Sequence, residues 1–187
     1  ETSKRIPKNY VPRSIDEKGF GDPRKAKLII GPRQAGKSTF VWSYLAGLEP
    51  RGVMFLNAEE NLVREWCGSA VAVVRDLQKE FKTVNTLFID EAQHIENVGL
   101  LIKGLVDAQS GLNIFVTGSS SYHLMDKVRE SLAGRAERRI LLPFSIAELF
   151  AGQNEPIGAV AASRKKEIEM KMAVFGGYPG VWFSEEP

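Results

Sequence analysis

Residues 27–40 read KLIIGPRQAGKSTF, a short apolar run that leads into a glycine-rich loop and then into the start of an apolar helix. The loop fits the pattern G-x-x-x-x-G-K-[ST], with Gly31, Gly36, Lys37 and Ser38 at the fixed positions. Glycines let backbone N–H groups curl around a polyphosphate, and the helix that follows directs its positive dipole end at the same anion. We therefore expect this loop to bind a nucleoside triphosphate. An ordinary glycine turn before a helix does not require a lysine and a hydroxyl at these offsets.

Two residues of the loop have predicted chemical roles. Lys37 supplies a point charge for the outer phosphates, and the Ser38 hydroxyl is offered to Mg²⁺. The expected cofactors are ATP and Mg²⁺, because the chain has no Asn-Lys-x-Asp motif for guanine. The predicted cofactor-binding set is Gly31, Pro32, Arg33, Gln34, Ala35, Gly36, Lys37, Ser38 and Thr39.

The composition is that of a soluble globular protein long enough for one α/β domain. Of 187 residues, 43% are hydrophobic and 26% are charged, and the net charge is +2. The charge is uneven, because residues 1–39 hold ten Lys or Arg and only four Asp or Glu. Such a basic segment can contact nucleic acid phosphates, although several of these cations suit a bound triphosphate or water equally well.

Two further features of the composition bear on location. No apolar stretch approaches 18 residues, so we expect no membrane span. The single cysteine, Cys67, lies in an apolar-periodic stretch, where packing is its expected role, and it excludes an internal disulfide. These features predict a cytoplasmic protein.

Short apolar runs alternate with helical patterns along the chain, which predicts a parallel sheet with helices on both faces. The predicted strands are Leu28–Ile30, Val53–Leu56, Thr86–Ile89, Asn113–Thr117 and Arg139–Leu142. The predicted helices are Ser38–Gly47, two helices within Asn61–Phe81 separated near Gly68, Ile95–Gln109, Tyr122–Leu132, Ser145–Phe150 and Ala159–Val174. Ser145 and Glu148 form a capping box, and the glycine-rich run 176–180 is expected to break the last helix.

A second motif follows the third predicted strand, where residues 86–94 read TLFIDEAQH. An apolar strand that ends in Asp-Glu is the pattern that completes a nucleotide site after a phosphate loop. Asp90 is expected to hold the Mg²⁺ water shell opposite Ser38, and Glu91 to polarise the water that attacks the γ-phosphate. The alternative for Glu91 is a solvent-exposed carboxylate that caps the next turn.

The fourth predicted strand ends in FVTGSSS at residues 115–121. A strand between the two motif strands delivers a polar side chain towards the γ-phosphate. Ser119 is the first choice for this sensing role, and Thr117 and Ser120 come after it. The alternative is plain turn chemistry, because Gly and Ser are common turn residues.

Arginines near the fifth predicted strand are candidates for a role between subunits. Arg135 follows a predicted helix end at Gly134, from which it can reach a triphosphate on a neighbouring copy and neutralise charge during phosphoryl transfer. Arg138 and Arg139 compete for this role. A surface salt bridge, or a cation at a helix end, is the alternative for all three. The Arg135 assignment predicts a homo-oligomer.

Residues of the basic N-terminal segment are candidates for contact with the base. Tyr10 and Arg13, with Pro7 before them, are placed where they can border the adenine.

These motifs together resemble the P-loop ATPases of the AAA+ class found in archaea and bacteria, which often carry a separate C-terminal domain. The resemblance rests on GPRQAGKST at 31–39, LFIDEAQHI at 87–95, FVTGSSSYHL at 115–124, ESLAGRAERRILLPFSIAELF at 130–150 and FGGYPGV at 175–181. It implies a sheet of about five parallel strands in the order 5-1-4-3-2. It also implies nucleotide binding at Lys37, Ser38 and Asp90, with Glu91 as the catalytic carboxylate and Arg135 as a candidate arginine finger.

The same resemblance gives an expected division of the chain. Residues 1–26 form an N-terminal arm, residues 27–152 a P-loop ATPase core, and residues 153–187 the truncated start of a helical lid.

The function expected from these observations is hydrolysis of Mg–ATP coupled to a conformational change in a partner or an assembly. One alternative is a slow-turnover nucleotide switch that controls oligomerisation or signalling, and another is a nucleic-acid-stimulated ATPase. A helicase with two RecA-like domains does not fit, because the chain has no room for the second domain after Leu142. A small-molecule kinase is disfavoured, because Glu91 directly after Asp90 favours water as the nucleophile.

Overall fold

Five parallel strands form one sheet flanked by helices. The computed structural model describes residues 2–15, 20–48, 52–108, 111–119, 132–151 and 159–184. The strands are β1 (Ala26–Gly31), β2 (Val53–Asn57), β3 (Thr86–Asp90), β4 (Asn113–Ser119) and β5 (Ala136–Ile140). The helices are α1 (Lys37–Leu48), α2 (Asn61–Cys67), α3 (Ala70–Lys79), α4 (Val98–Asp107), α5 (Ile146–Ala151), α6 (Ala159–Phe175) and α7 (Pro179–Trp182), with short 3-10 helices at Thr2–Arg5 and Ala92–His94.

The strand order is β2-β3-β4-β1-β5, which is the expected order 5-1-4-3-2 read from the other edge. All neighbouring strands are parallel. β4 lies between the two motif strands β1 and β3, as predicted, and its last residue Ser119 is opposite Gly31. The carboxyl ends of parallel strands share one edge of a sheet, where ligands bind in folds of this kind. This edge therefore carries the phosphate loop, Asp90 and Ser119.

The two faces of the sheet are covered by separate hydrophobic cores. Alternate residues of β1 point to opposite faces: Leu28 and Ile30 join the core under α2, α3 and α4, while Ile29 joins the core under α1. On the α1 face, Trp42 lies 5.2 Å from the Phe55 and Phe88 rings. This three-layer arrangement confirms the predicted α/β class.

A third, smaller core joins the chain's N-terminal segment to its C-terminal helices. Phe144, Leu149 and Ile168 are its buried members, and Val11 and Trp182 pack against them. The part of the N-terminal segment around Val11 therefore packs against residues of helices α5 to α7. Among the described residues, none of the helices combines the length and apolar character that crossing a bilayer needs.

The fifth strand differs from its prediction. The apolar run Arg139–Leu142 predicted it, but the strand is Ala136–Ile140 and pairs through Ala26 opposite Ala136. β5 is an edge strand, so polar residues are tolerated on its exposed side. Leu141 is buried just past the strand, where its N–H donates to the Ile30 carbonyl.

Two helix boundaries also differ from their predicted positions. α4 begins at Val98 rather than at Ile95, because Ile95 has an extended backbone with ψ 124° that closes the preceding 3-10 helix. The run 176–180 does end the long helix at Phe175, but it then starts a further short helix at Pro179. The predicted helix Tyr122–Leu132 lies, except for its last residue, outside the described residues.

Candidate nucleotide-binding site

The loop between β1 and α1 has the backbone of an anion cradle. Gln34 has a φ of 63° and Gly36 a φ of 89°, so two left-handed residues flank Ala35. Successive peptides that alternate in this way turn their N–H groups to one side and form a nest for an anion. Gly31 precedes the loop where a Cβ would lie 2.0 Å from the Leu141 carbonyl oxygen, so only glycine fits there.

Lys37 lies across this loop. Its side chain is buried, and Nζ donates to the Pro32 carbonyl at 2.9 Å. Burial lowers the pKa of Lys37 below its ordinary value, while the nearby carboxylates of Glu91 and Asp90 oppose that shift. The Lys37 ammonium thus lies buried at the mouth of an anion cradle, with two carboxylates across from it. This charge pattern suits a triphosphate.

A hydroxyl–carboxylate cluster lies beside the loop. The Ser38 hydroxyl donates to Asp90 Oδ1 at 2.8 Å, and the Thr117 hydroxyl donates to the same oxygen. Thr117 also accepts the backbone N–H of Glu91 at 3.1 Å. Hydroxyl and carboxylate oxygens are hard donors of the kind that Mg²⁺ prefers. Ser38 and Asp90 therefore fit the magnesium role predicted from the sequence.

Glu91 is held in an unusual conformation next to this cluster. Its φ of 53° is left-handed, and its carboxylate accepts a hydrogen bond from the Gln93 side-chain amide. The other end of that amide, Gln93 Oε1, accepts the backbone N–H of Ser119 at 2.9 Å. Glu91 makes no side-chain cap hydrogen bond to the 3-10 helix that follows it, which argues against the capping alternative.

The other side chains of the predicted loop set differ in their exposure. Arg33 is exposed, and its guanidinium lies 4.0 Å from Glu59. Gln34 is also exposed, whereas Ala35 is fully buried. Pro32 and Thr39 are half-buried, Pro32 in the loop and Thr39 in the first turn of α1.

The two described candidates for the sensing role predicted at the end of β4, Ser119 and Thr117, make different contacts. Ser119 lies at the strand end beside the loop, and its backbone N–H joins the Gln93 network. Thr117 is the residue whose side chain touches Asp90 and the Glu91 backbone. Ser120 lies outside the described residues.

Arg135 lies at the opposite edge of the sheet, directly before β5 and away from the phosphate loop. Its Nε is 2.6 Å from Asp107 Oδ1 in a half-exposed ion pair, which is the salt bridge given as the alternative. Arg138 and Arg139 lie within β5, and the Arg139 guanidinium lies over the Phe20 ring at 5.6 Å. Arg135, at the amino end of β5, therefore lies away from the site of its own chain.

Residues in the N-terminal arm contact the loop in a way that sequence reasoning missed. Arg13 is 5% exposed, and its guanidinium bonds to the Ala35 carbonyl and to the Glu148 carboxylate. It therefore packs behind the loop instead of bordering an open base site. The contact between Gln93 and Glu91 was also not predicted. The only local signal for it was the place of Gln93 after Asp90 and Glu91.

Comparison with known sequences places these features in a family. The sequence model of a family described as "AAA domain" matches residues 23–150. The uncharacterized protein MJ1544 of Methanocaldococcus jannaschii is 28% identical over 163 residues, which are 85% of this chain and 36% of that protein. An uncharacterized protein of Haemophilus influenzae is 24% identical over 187 residues, which are 96% of this chain and 45% of that protein. The chain thus spans less than half the length of these relatives.

Comparison with solved structures gives weaker likenesses. AMPPCP-bound DnaA from Aquifex aeolicus has a TM-score of 0.49 and 16% identity, covering 98% of this chain and 68% of that one. PCH-2 from C. elegans has a TM-score of 0.48 and 13% identity, covering 80% of this chain and 48% of that one. Because both TM-scores are below 0.5, the assignment to a family rests on the sequence match alone.

Proposed function

The chain belongs to the AAA domain family, and on that premise we propose that it binds ATP with Mg²⁺ and hydrolyses it. The observation that carries this proposal is the convergence of four residues at one sheet edge. Lys37 lies across the cradle, Ser38 and Asp90 are joined by a hydrogen bond of 2.8 Å, and Glu91 follows Asp90 directly.

Binding is assigned to the loop and to Lys37. Backbone N–H groups of the loop, except at Pro32, which has none, surround the phosphates, and the N-terminus of α1 adds its dipole. The Lys37 ammonium neutralises the outer phosphates. Ser38 and Asp90 would hold Mg²⁺. When bound, this cation would offset part of the negative charge of the phosphates.

The hydrolytic step is assigned to Glu91. The oxygen of a water molecule attacks the γ-phosphorus, and Glu91 takes a proton from that water. The bond from the γ-phosphorus to the bridging oxygen breaks, which leaves ADP and inorganic phosphate. Thr117 and Gln93 support this step, because they hold the Glu91 backbone and carboxylate in place.

The proposed use of the reaction is a conformational change in a partner or an assembly. Arg135 faces away from its own site, so any role in catalysis requires a neighbouring copy in a homo-oligomer. The helices of residues 159–182 are the proposed start of a lid. Contact with nucleic acid through the basic arm stays a prediction.

The test of this proposal is Glu91→Gln. We expect kcat for ATP hydrolysis to fall by about 10²–10⁴-fold while Mg–ATP binding is retained, because only the base is lost. Glu80→Gln, at an exposed position that ends α3, is the matched control and should hydrolyse ATP like the wild type. A wild-type rate as slow as that of Glu91→Gln would reject the ATPase and leave a nucleotide switch.

A further inference from the structure

We propose that Arg13 is a positioning residue for the nucleotide site, and that it acts by orienting the peptide between Ala35 and Gly36. Held in this orientation, the Gly36 N–H faces the phosphates. This inference rests on the proposed function, because it concerns the loop that would hold the anion.

The Arg13 side chain is buried among acceptors from three parts of the chain. Its Nη1 donates to the Ala35 carbonyl at 3.0 Å, and its Nε donates to Glu148 Oε1 at 3.1 Å. Its Nη2 donates to the Leu142 carbonyl. The guanidinium also lies over the Phe144 ring at 4.7 Å. A planar group with N–H donors in a fixed fork suits this task, because it meets several acceptors at set angles.

These contacts exclude Arg13 as a direct phosphate ligand. Its side chain is only 4% exposed, and the Glu148 carboxylate that pairs with it is 7% exposed. The positive charge is thus already compensated inside the protein. The residue can influence a bound nucleotide only through the loop backbone that it touches.

The geometry of a trans peptide fixes the direction of the Gly36 N–H. In a trans peptide the carbonyl and the following N–H point in opposite directions. Because the Ala35 carbonyl points at Arg13, the Gly36 N–H points to the other side of the loop. That is the side on which a phosphate would lie, since Arg13 and its partners fill the space behind.

The loop conformation needs such an anchor. Gln34 and Gly36, with φ values of 63° and 89°, lie on either side of Ala35, whose carbonyl belongs to this peptide. A non-glycine residue stays in the left-handed region only where its surroundings hold it there. Arg13 provides a fixed partner for the carbonyl between the two residues, and it is supplied from 22 residues away in sequence.

The discriminating variant is Arg13→Lys. Lysine keeps the charge and can still pair with Glu148, but it lacks the planar fork. We expect the dissociation constants of Mg–ADP and Mg–ATP to rise together by about tenfold, the effect of one lost hydrogen bond to a charged group. We also expect kcat at saturating ATP to change less than about threefold, because Arg13 does not touch the reacting atoms.

Two controls separate this role from general stability. Arg24→Lys changes an arginine whose side chain is 88% exposed and should leave both dissociation constants unchanged. Trp182→Phe removes the hydrogen bond from Trp182 to the Gly176 carbonyl in the third core, so it should lower Tm without weakening nucleotide binding. If Trp182→Phe weakens binding as much as Arg13→Lys does, Arg13 acts only through packing and the proposal fails.

The outcomes also separate this proposal from the proposed function. If the wild type binds Mg–ADP and Arg13→Lys binds it equally well, the Arg13 role is rejected and the nucleotide site stands. If the wild type binds neither nucleotide, the proposed function itself fails.

A measurement on the wild type tests the inferred direction of the Gly36 N–H, on which the Arg13 role depends, even if Arg13→Lys does not fold. In ¹⁵N-labelled protein, the Gly36 amide resonance should shift on addition of Mg–ADP far more than that of Gly47, an exposed residue in α1. Equal, small shifts of both glycines would overturn the assignment.

Discussion

At the scale of single residues, the site depends on side chains that hold the reactive groups in place. Gln93 joins Glu91 to the end of β4 through the two ends of one amide. Thr117 joins Asp90 to the Glu91 backbone through one hydroxyl. Glu91 has a left-handed φ, which a non-glycine residue rarely adopts without support. The orientation of the proposed base is therefore set by its neighbours.

Gln93→Ala tests this dependence. Removal of the amide frees the Glu91 carboxylate, so we expect kcat to fall by about tenfold with little change in Mg–ATP affinity, since a misplaced base costs rate and not binding. Steady-state kinetics and calorimetry measure the two quantities. Gln78→Ala removes an exposed glutamine of α3 and serves as the control. An unchanged kcat in Gln93→Ala would mean that the amide does not position the base.

The sequence predicted these single residues unevenly. The proximity of Lys37, Ser38 and Asp90 was predictable because all three follow strand ends, which parallel strands bring to one edge. Cys67 was correctly assigned to packing, and burial raises the pKa of its thiol to about 11. The contact between Arg13 and Glu148 was not predicted, because 135 residues separate the two and no local pattern marks the pair.

At the scale of elements, the capping box of α5 has a second use. Glu148 accepts the Ser145 N–H at 2.8 Å, as a capping box requires, and it also accepts the Ser14 N–H at 2.9 Å. With Arg13 it joins the N-terminal arm to α5. The motif was readable from the sequence, but its link to the arm depends on the tertiary fold.

Glu148 also predicts a pH dependence of stability. Burial alone raises the pKa of Glu148, but hydrogen bonds from Ser145 and Ser14, with the Arg13 guanidinium, outweigh it, and the net pKa is below the ordinary 4.5. The stabilisation is therefore present above pH 4.5 and is lost as the pH falls through the lower folded-state pKa.

Glu148→Gln is the test of that dependence. We expect it to lower the free energy of unfolding by about 2 kcal/mol at pH 7, because a charge-assisted network is weakened. The difference from the wild type should shrink as the pH falls below 4.5. Urea unfolding at pH 7 and at pH 3 measures both values, with Glu80→Gln as an exposed control. A difference that is equal at the two pH values would contradict the assignment.

The strand boundaries show where local sequence patterns do not predict the structure. Strands β1 to β4, three inner strands and the edge strand β2, were found because each is a short apolar run. β5 was misplaced because its residues are mostly polar, and its position is set by pairing with β1. Its sequence AERRI alternates in exposure, and the nearby run of isoleucine and leucines was the stronger signal.

At the scale of the whole molecule, the carboxyl ends and the amino ends of the strands lie beside different charged groups. The carboxyl edge holds the proposed nucleotide site. The opposite edge holds Arg135, paired with Asp107. The guanidinium hydrogen bond to Asp107 lowers the pKa of that carboxyl, as expected for an ion pair. An arginine so placed can assist hydrolysis only in another copy of the chain.

Mixing of two inactive variants tests this arrangement. Arg135→Ala lacks the proposed finger and Glu91→Gln lacks the base, so each alone should lose activity. In a mixed oligomer, Glu91→Gln subunits supply Arg135 to neighbours that retain Glu91, and part of the ATPase activity should return. Asp107→Asn removes the ion pair but keeps the arginine, and should stay active. Full activity of Arg135→Ala alone would exclude the finger.

Binding of Mg–ATP to the loop at residues 31–39 can be measured by calorimetry. We predict Mg²⁺-dependent binding of ATP by the wild type and by Lys79→Ala, which changes an exposed lysine of α3. We predict that Lys37→Ala binds at least about 30-fold more weakly, because a charge-assisted contact to the phosphates is lost. Absence of Mg²⁺-dependent binding by the wild type, or equal affinities for the wild type and Lys37→Ala, would contradict the account.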